Sequence, residues 1–151
     1  MYSTSWEDGG LDGWFSQGAG LSTLTNRSQG PYPASYNGSH VLEMSASMGG
    51  AWNARDFTPG GTLAVGKRYT VGVWVRTPPG GGALTGGLYI WTTGAIPELW
   101  HTYFISSSSW QYVTTTAILT QPGNSTLRVE LCMNTTGVNV DLDSLNVWGP
   151  Y

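Results

Sequence analysis

Acidic residues stand at both ends of this chain, beside two segments with the pattern of β-strands. The first is Ser5-Trp6-Glu7-Asp8-Gly9, and the second is the run 138–147, which holds Asp141 and Asp143. The chain has only nine Asp and Glu residues, so their position beside the first and last strands predicts that the two ends meet. Oxygen ligands of this kind suit a hard cation, which makes the junction a candidate cation site.

A second group of side chains has the chemistry of sugar recognition. Aromatic rings pack against the C–H side of a pyranose, and planar polar side chains form hydrogen bonds with its hydroxyls. Alternation along the predicted strands places such side chains at outward positions, namely Trp74, Arg76, Tyr89, Trp91, Arg128 and Glu130. If these strands lie in one sheet, its exposed concave face carries aromatic rings between charged groups.

The settings of the reactive side chains argue against catalysis. A glycosidase needs two carboxylates that face each other across a cleft, and Glu98 and Glu130 are the candidates for that pair. Nothing beside either residue indicates a raised pKa. Cys132 lies within a predicted strand, without a helix N-terminus to activate its thiol, and neither His40 nor His101 has a recognisable catalytic setting. We therefore expect no enzymatic activity.

The composition fits a single domain over residues 1–151 and limits the possible partners. Only 10% of the residues are charged and 13% are aromatic, so the surface is largely neutral and polar. A net charge of −3 with six Lys and Arg residues gives no basic stripe for phosphates and argues against nucleic acid. No apolar run is long enough to span a bilayer, which argues against a membrane partner. Cys132 is the only cysteine, so no intramolecular disulfide can form.

Short segments with alternating side chains recur along the chain, and helical periodicity is absent. In the clearest strand, 68–76, the side chains of Tyr69, Val71, Val73 and Val75 share one face, which we assign to the core. Further strands are predicted within 14–24, 40–44, 51–57, 88–91, 99–105, 112–119, 126–133 and 138–147. Turn residues stand at 37–38, 59–61, 78–82, 86–87 and 122–124. About nine strands so spaced predict an all-β fold, a two-sheet antiparallel β-sandwich of the jelly-roll type.

Five segments, taken in order, resemble one known family. They are 6–14, 35–42, 63–76, 110–113 and 140–145. Together they resemble the carbohydrate-binding modules of families four, nine and twenty-two, over nearly the whole chain. The resemblance implies a jelly roll that is similar to galactose-binding domains. This chain has Trp6-Glu7 where the family usually has Phe-Glu.

The resemblance implies a structural calcium ion. In several relatives such an ion joins the first strand, the Gly-Ser turn and the last strand. Carried over to this chain, its side-chain ligands are Glu7 and Asp143, with backbone carbonyls near Ser5, Asn37 and His40. An ion held in this way fastens both termini. The alternative is that the two carboxylates accept hydrogen bonds from amides of the turn.

The resemblance also implies a ligand cleft. Trp52 falls where relatives place an aromatic platform, Arg55 follows at the place of a polar contact, and Arg128 matches a cleft arginine. Cys132 stands where some relatives have a polar cleft residue, which leaves the identity of the sugar open.

Each of these assignments has a structural alternative. A Trp in a β-sandwich more often packs in the core or at the rim, and we assign Trp6, Trp14 and Trp110 to structure. Trp74 fits either interpretation. The two cleft arginines could instead form surface ion pairs with Asp56 and Glu130, which contribute little energy.

Two functions remain as hypotheses. The first is a non-catalytic module that binds a neutral polysaccharide or cell-surface glycan, with Trp52, Trp91 and Arg128 as contacts. The second is a phage capsid decoration or tail accessory protein that uses the same sandwich for protein–protein assembly. The chain begins with Met, lacks a signal sequence and ends at Pro150-Tyr151, which favours the second because such modules are normally tethered to an enzyme. Both hypotheses place the protein outside the cell or on a virion surface.

Overall fold

The computed structural model describes residues 2–17, 22–30, 33–58 and 63–150, and this part of the chain contains strands and no helix. The strands are β1 (Tyr2–Thr4), β2 (Phe15–Gln17), β3 (Ser22–Ser28), β4 (His40–Ala46), β5 (Ala51–Phe57), β6 (Arg68–Arg76), β7 (Leu84–Gly94), β8 (Leu99–Ser106), β9 (Gln111–Ile118), β10 (Asn124–Met133) and β11 (Val140–Trp148). Within these ranges there is accordingly no helix with the length and apolar character needed to cross a membrane.

The strands form two antiparallel sheets. The six-stranded sheet has the order β3-β4-β11-β6-β9, with β1 also paired to β11. The five-stranded sheet has the order β2-β5-β10-β7-β8. The predicted all-β fold, a two-sheet antiparallel sandwich, is therefore confirmed.

The core lies between the two sheets. The predicted core face of β6 is confirmed, because Tyr69, Val71, Val73 and Val75 are all buried. The alternate residues of β10 face them from the other sheet and are also buried, namely Leu127, Val129, Leu131 and Met133. Alternation of apolar and polar side chains thus determines which face of each strand is buried.

Two tryptophans close the sandwich beside the first strands. Trp6 and Trp14 are only 1% and 3% exposed, which confirms their assignment to structure. The pairing of β1 with β11 sets Tyr2 opposite Val147 and Thr4 opposite Leu145. The ends of the chain therefore meet, as the acidic segments predicted.

The described residues form eleven strands rather than about nine. The strand β1 was missed because three residues are too few to show alternation. The segment 14–24, predicted as one strand, contains β2 and the beginning of β3. The turn predicted at 59–61 lies outside the described residues.

The turn predicted at Gly86-Gly87 is wrong, because both glycines lie inside β7. A Cβ atom on Gly86 would stand 2.7 Å from the ring of Phe104, and one on Gly87 would stand 2.5 Å from the ring of Tyr89. Glycine is needed at these two positions because an aromatic ring lies against the backbone, and not because the chain turns.

Candidate functional site

Cross-strand pairing defines one set of side chains on the outer face of the five-stranded sheet. Arg128 of β10 lies opposite Asp56 of β5 and Trp91 of β7, and Cys132 lies opposite Trp52. Directly paired residues point to the same side of a sheet. By this register the outer face carries Phe15, Gln17, Trp52, Asp56, Tyr89, Trp91, Leu99, His101, Tyr103, Arg128, Glu130 and Cys132.

Four rings on this face form an aromatic cluster, which consists of Trp52, Tyr89, His101 and Tyr103. The ring of Tyr89 lies 4.7 Å from that of Trp52 and 5.3 Å from that of His101, measured between centroids. Tyr103 packs edge-on against His101 at 4.6 Å. Tyr89 is 7% exposed and Tyr103 is 64% exposed, so Tyr89 is the base of the cluster and the outer rings present its open surface.

Gly87 explains how Tyr89 reaches this position. The two residues are two positions apart on β7 and therefore share a face. The missing Cβ of Gly87 leaves space that the Tyr89 ring occupies. The Tyr89 ring therefore lies against the backbone at Gly87 and contacts Trp52 of β5 and His101 of β8.

Charged and amide side chains form a polar cluster beside the rings, which consists of Gln17, Asp56, Arg128 and Glu130. Arg128 donates from Nε and Nη2 to the two carboxylate oxygens of Asp56, at 2.6 and 2.9 Å. Gln17 donates from Nε2 to Oε1 of Glu130 at 2.5 Å. The structural alternative for the two cleft arginines is a surface ion pair with Asp56 or Glu130. Arg128 forms such a pair with Asp56, which fixes the guanidinium on the outer face.

Glu130 is a buried carboxylate, with 5% of its surface exposed. Burial raises its pKa, although the Gln17 amide and the Arg128 guanidinium act in the opposite direction. The flanks of Glu130 in the sequence do not indicate this raised pKa, because they carry no information about burial between β5 and β7. Glu130 can accept hydrogen bonds from hydroxyl groups at the surface of the polar cluster.

A pocket of about 340 Å³ opens beside the polar cluster. Its lining residues are Gln17, Trp91, Thr92, Thr93, Pro97, Arg128 and Glu130. The pocket combines one large aromatic side chain with donors and an acceptor, which is the composition expected of a small polar ligand site.

The structure does not bring Arg55 into this group. Arg55 lies opposite Val129 of the core face, so its side chain points away from the outer face. Its guanidinium packs over the ring of Tyr2 at 4.0 Å and donates a hydrogen bond to the Tyr2 hydroxyl. The prediction that Arg55 lies in the cleft with Trp52 is wrong, because residues three apart on a strand point to opposite sides.

Trp74 is also elsewhere, on the outer face of the six-stranded sheet. Its ring stacks on that of Tyr36 at 3.8 Å and contacts that of Tyr112 at 5.2 Å. The expectation that it shares a sheet face with Trp91 and Arg128 is therefore wrong. On this side of the molecule it helps to hold the loop that precedes β4 against the sheet.

Trp110 supports the same loop, as its structural assignment predicts. Its Nε1 donates to the carbonyl of Pro33 at 3.1 Å, and its ring lies 4.7 Å from the guanidinium of Arg76. Arg76 is buried and pairs with the buried Asp141 at 3.0 Å.

Four residues of the outer face are not among the predicted ligand contacts: Gln17, Asp56, His101 and Tyr103. From the sequence, the segment 100–103 could either line the cleft or pack beneath a loop, and the alternation of β8 sets His101 and Tyr103 beside Leu99 on the outer face. Asp56 enters the sequence analysis as an ion-pair partner of arginine. The sequence contains no signal for Gln17, which reaches Glu130 across the intervening strand β5.

The residues predicted to bind calcium come together around the loop 36–40. Oδ2 of Asp143 accepts the backbone N–H groups of Tyr36 and Asn37, each at 2.8 Å. Glu7 accepts the N–H groups of Ser39 and His40 at 3.0 and 2.8 Å.

This geometry matches the hydrogen-bonded alternative. The loop presents N–H groups to both carboxylates, whereas a calcium ion requires oxygen ligands. Ser5 and Asn37 line a small polar cavity of about 280 Å³ beside the loop. Among the described residues, no three His, Cys, Asp or Glu side chains form a group that could hold a metal. The calcium hypothesis stays a prediction.

Glu98, the other candidate catalytic acid, joins two loops. Its carboxylate accepts the backbone N–H groups of Thr120 and Gln121, at 3.0 and 3.1 Å, and the hydroxyl of Thr120 at 2.7 Å. Although partial burial acts to raise its pKa, these hydrogen bonds lower it overall. A carboxylate held in its ionised form by structural donors is poorly suited to act as a general acid.

Three comparisons relate the chain to known proteins. The sequence matches the family of carbohydrate binding domains that is named CBM_4_9, over residues 1–137. No curated protein sequence matches the chain. Many solved structures share its fold, and three of them are described below.

The fold is similar to that of the CBM22-1 xylan-binding domain from Paenibacillus barcinonensis, with a TM-score of 0.77 and 12% identity over 97% of this chain and 91% of that domain. It is also similar to xylanase 10B of Clostridium thermocellum, whose CBM22-1 and GH10 modules were solved with xylohexaose. There the TM-score is 0.73 and the identity 16%, over 97% of this chain and 28% of that one.

A third similar structure is the enzymatically active domain of tailspike protein 4 from bacteriophage CBA120. Its TM-score is 0.71 and its identity 12%, over 95% of this chain and 20% of that one. At such identities the likeness shows the fold alone. The sequence match, in contrast, covers most of the chain, and the protein therefore belongs to the family of carbohydrate binding domains.

Proposed function

We propose that this protein binds a neutral polysaccharide on the outer face of its five-stranded sheet. The observation that carries the proposal is the position of the aromatic cluster beside the polar cluster on one face of one sheet. The open rings offer surfaces for the C–H side of sugar rings, and the polar groups offer hydrogen bonds to the hydroxyls. A β-linked glucan or xylan has both kinds of surface.

In this proposal the rings have different tasks. Trp52 and Tyr103 present open surface and contact the sugar, while Tyr89, which is nearly buried, holds Trp52 and His101 in place. Trp91 lines the pocket next to Arg128 and Glu130 and contacts a second sugar unit. The saccharide then runs across the strands from the aromatic cluster to the polar cluster.

The polar cluster sets the orientation of the saccharide. Asp56 fixes the Arg128 guanidinium by two hydrogen bonds, which leaves its remaining N–H groups available as donors. Glu130 is an acceptor that Gln17 holds in place. A rigid donor and a rigid acceptor favour one arrangement of hydroxyl groups over others.

The proposal includes no catalysis. Members of this family bind carbohydrate without cleaving it. A glycosidase needs one free carboxylate besides the acid, but Asp56, beside Glu130 on this face, is held in a two-point ion pair with Arg128. We expect no release of reducing sugar from any polysaccharide that binds.

The second candidate is a virion component, such as a tail accessory or capsid decoration protein. It is favoured by the similarity of the fold to a domain of the bacteriophage CBA120 tailspike. Exposed apolar side chains on β8, namely Leu99, Tyr103 and Ile105, could then pack against a neighbouring protein. An extracellular or virion-surface location is part of both candidates and stays a prediction.

Affinity electrophoresis tests the first candidate against the second. The protein is run through native gels that contain xylan, mixed-linkage β-glucan, hydroxyethylcellulose or no polysaccharide. Retardation in at least one polysaccharide gel supports the binding function. Equal mobility in all gels contradicts it and favours the assembly function.

A further inference from the structure

A cavity of about 460 Å³ lies between the inner faces of the two sheets, at the end of the molecule where Arg55 points. The six-stranded sheet contributes Tyr2 and Val147, and the five-stranded sheet contributes Arg55, Phe57 and Leu127. The cavity is therefore separated from the proposed polysaccharide site by the thickness of the five-stranded sheet. Its volume is within the range of small-molecule sites in proteins.

Arg55 places a positive charge in this largely apolar cavity. Its guanidinium lies 4.0 Å from the ring of Tyr2 and 4.9 Å from the ring of Phe57, and it donates to the Tyr2 hydroxyl. Among residues 2–17, 22–30, 33–58 and 63–150, no carboxylate forms an ion pair with it. Its contacts are therefore two rings and a hydroxyl group, and a bound anion would supply the charged partner that this part of the chain does not.

The neighbouring carboxylate is not that partner. Asp56 also borders the cavity, but both of its oxygens accept hydrogen bonds from Arg128 on the other side of the sheet. Arg55 and Asp56 are adjacent on a strand and their side chains therefore point to opposite faces.

The distribution of charge leads to the same conclusion. Across the described parts of the chain, ion pairs use Arg27, Arg76 and Arg128. The three basic residues without an ion pair there are Arg55, Lys67 and Arg68, and the latter two directly precede Tyr69, which lines the cavity. Of these three, Arg55 lines the cavity, and a positive charge without an ion pair among the described residues attracts anions.

We propose that this cavity is a second ligand site, which binds a small organic anion through a carboxylate on Arg55. The apolar body of the ligand lies against Phe57, Leu127 and Val147, while the carboxylate takes two hydrogen bonds from the guanidinium. An aromatic acid satisfies both requirements. A uronic acid has the same carboxylate on a polar ring and does not suit the apolar walls.

Isothermal titration calorimetry with benzoate tests the proposal. The wild-type protein binds benzoate at one saturable site, and Arg55→Gln weakens this binding at least tenfold. Arg27→Gln removes the same charge on the six-stranded sheet and leaves benzoate affinity unchanged. Benzyl alcohol, which lacks the carboxylate, and glucuronate, which lacks the apolar body, bind at least tenfold more weakly than benzoate.

A second variant keeps the test valid if Arg55→Gln fails to fold. Ala64 is exposed and borders the cavity, so Ala64→Phe fills space in the cavity and also abolishes benzoate binding. Circular dichroism and retention in a polysaccharide gel verify that each variant is folded. No saturable binding of benzoate to the wild type overturns the proposal. So does an affinity in both Arg55→Gln and Ala64→Phe that equals the affinity of the wild type.

Discussion

Tyr89 occupies the centre of the aromatic cluster, and its contacts assign separate tasks to rings that look equivalent in the sequence. It contacts Trp52, His101 and Tyr103 and is itself almost fully buried. Rings that touch in this way limit one another's rotation. A sugar therefore meets a surface that is already ordered, which lowers the entropy lost on binding.

At the residue scale, Trp52→Ala should weaken polysaccharide binding by about 1–3 kcal/mol, as expected for an aromatic hot spot. The Tm of the Trp52→Ala variant should differ little from that of the wild type, because Trp52 is only partly buried on an outer face. Calorimetry of binding and of thermal unfolding measures both quantities. A large loss of Tm would instead assign Trp52 to the core.

Trp74→Ala is the matched control for that substitution. Trp74 is also a partly buried tryptophan on an outer face, but it belongs to the other sheet and packs on Tyr36. We expect it to lower stability and to leave polysaccharide affinity unchanged. If Trp74→Ala loses binding and Trp52→Ala keeps it, the polysaccharide site lies on the six-stranded sheet, which contradicts the proposal.

Glu130→Gln should raise the thermal stability of the protein and weaken its binding to polysaccharide. Burial raises the pKa of Glu130, so protonation stabilises the fold: this contribution is fully present below the unfolded pKa of about 4.3 and is lost as the pH rises through the folded pKa. Above the folded pKa the ionised, buried group opposes folding. The neutral Gln variant should therefore have a slightly higher Tm than the wild type near neutral pH.

The difference in Tm should disappear at a pH below about 4, where Glu130 is protonated in both states. Polysaccharide affinity should fall by about 1 kcal/mol at neutral pH, since a neutral amide is a weaker acceptor than a carboxylate. Tm values measured from acid to neutral pH test the argument. A Glu130→Gln variant that is less stable than the wild type at every pH would contradict it.

At the scale of elements, two glycines near the beginning of β7 determine how rings pack on the five-stranded sheet. Gly86 admits Phe104 on the inner face, and Gly87 admits Tyr89 on the outer face. A pair of glycines in sequence is a typical turn signal. The Gly-Gly pair alone does not distinguish a turn from a strand in which aromatic rings cover the backbone.

Gly87→Ala should displace Tyr89, because the new Cβ would lie 2.5 Å from its ring. The cost in stability should be about 1–3 kcal/mol, typical of overpacking, and polysaccharide binding should weaken because Trp52 loses its support. Gly82→Ala is the control, since its Cβ would meet only Val138 at 3.9 Å. Equal binding by Gly87→Ala and the wild type would show that Tyr89 does not support the site.

Register explains which site residues could be predicted. Alternation assigns Tyr89, Trp91, Arg128 and Glu130 to one face, and the resemblance adds Trp52. The structure places these five residues together. Arg55 was carried over by resemblance although its spacing from Trp52 requires the opposite face. The error for Trp74 has another cause, because alternation gives the face of a strand but not the sheet to which the strand belongs.

At the scale of the whole molecule, the fold was largely predictable because each strand has one apolar face and because turn residues separate the strands. The sheet order was not predictable from the pattern. Strands such as β5 and β10 are neighbours in space and distant in sequence, and their pairing depends on how all the apolar faces are buried at once. That sheet order brings Gln17 to Glu130 and Asp56 to Arg128 on the outer face.

The junction of the termini provides a test at this scale. If a calcium ion joins Glu7 and Asp143, EDTA should lower the Tm by several degrees, and added calcium should restore it. If the backbone hydrogen bonds of the loop 36–40 alone hold the two carboxylates, EDTA should leave the Tm unchanged. Differential scanning calorimetry with and without chelator distinguishes these hypotheses.

The most direct test of the account is calorimetric titration of the wild type, Trp52→Ala and Trp74→Ala with xylohexaose and cellohexaose. We predict that the wild type and Trp74→Ala bind at least one of these saccharides with equal affinity, and that Trp52→Ala binds it at least fivefold more weakly. Absence of binding by the wild type to both, or equal binding by all three proteins, would contradict a polysaccharide site on the outer face of the five-stranded sheet.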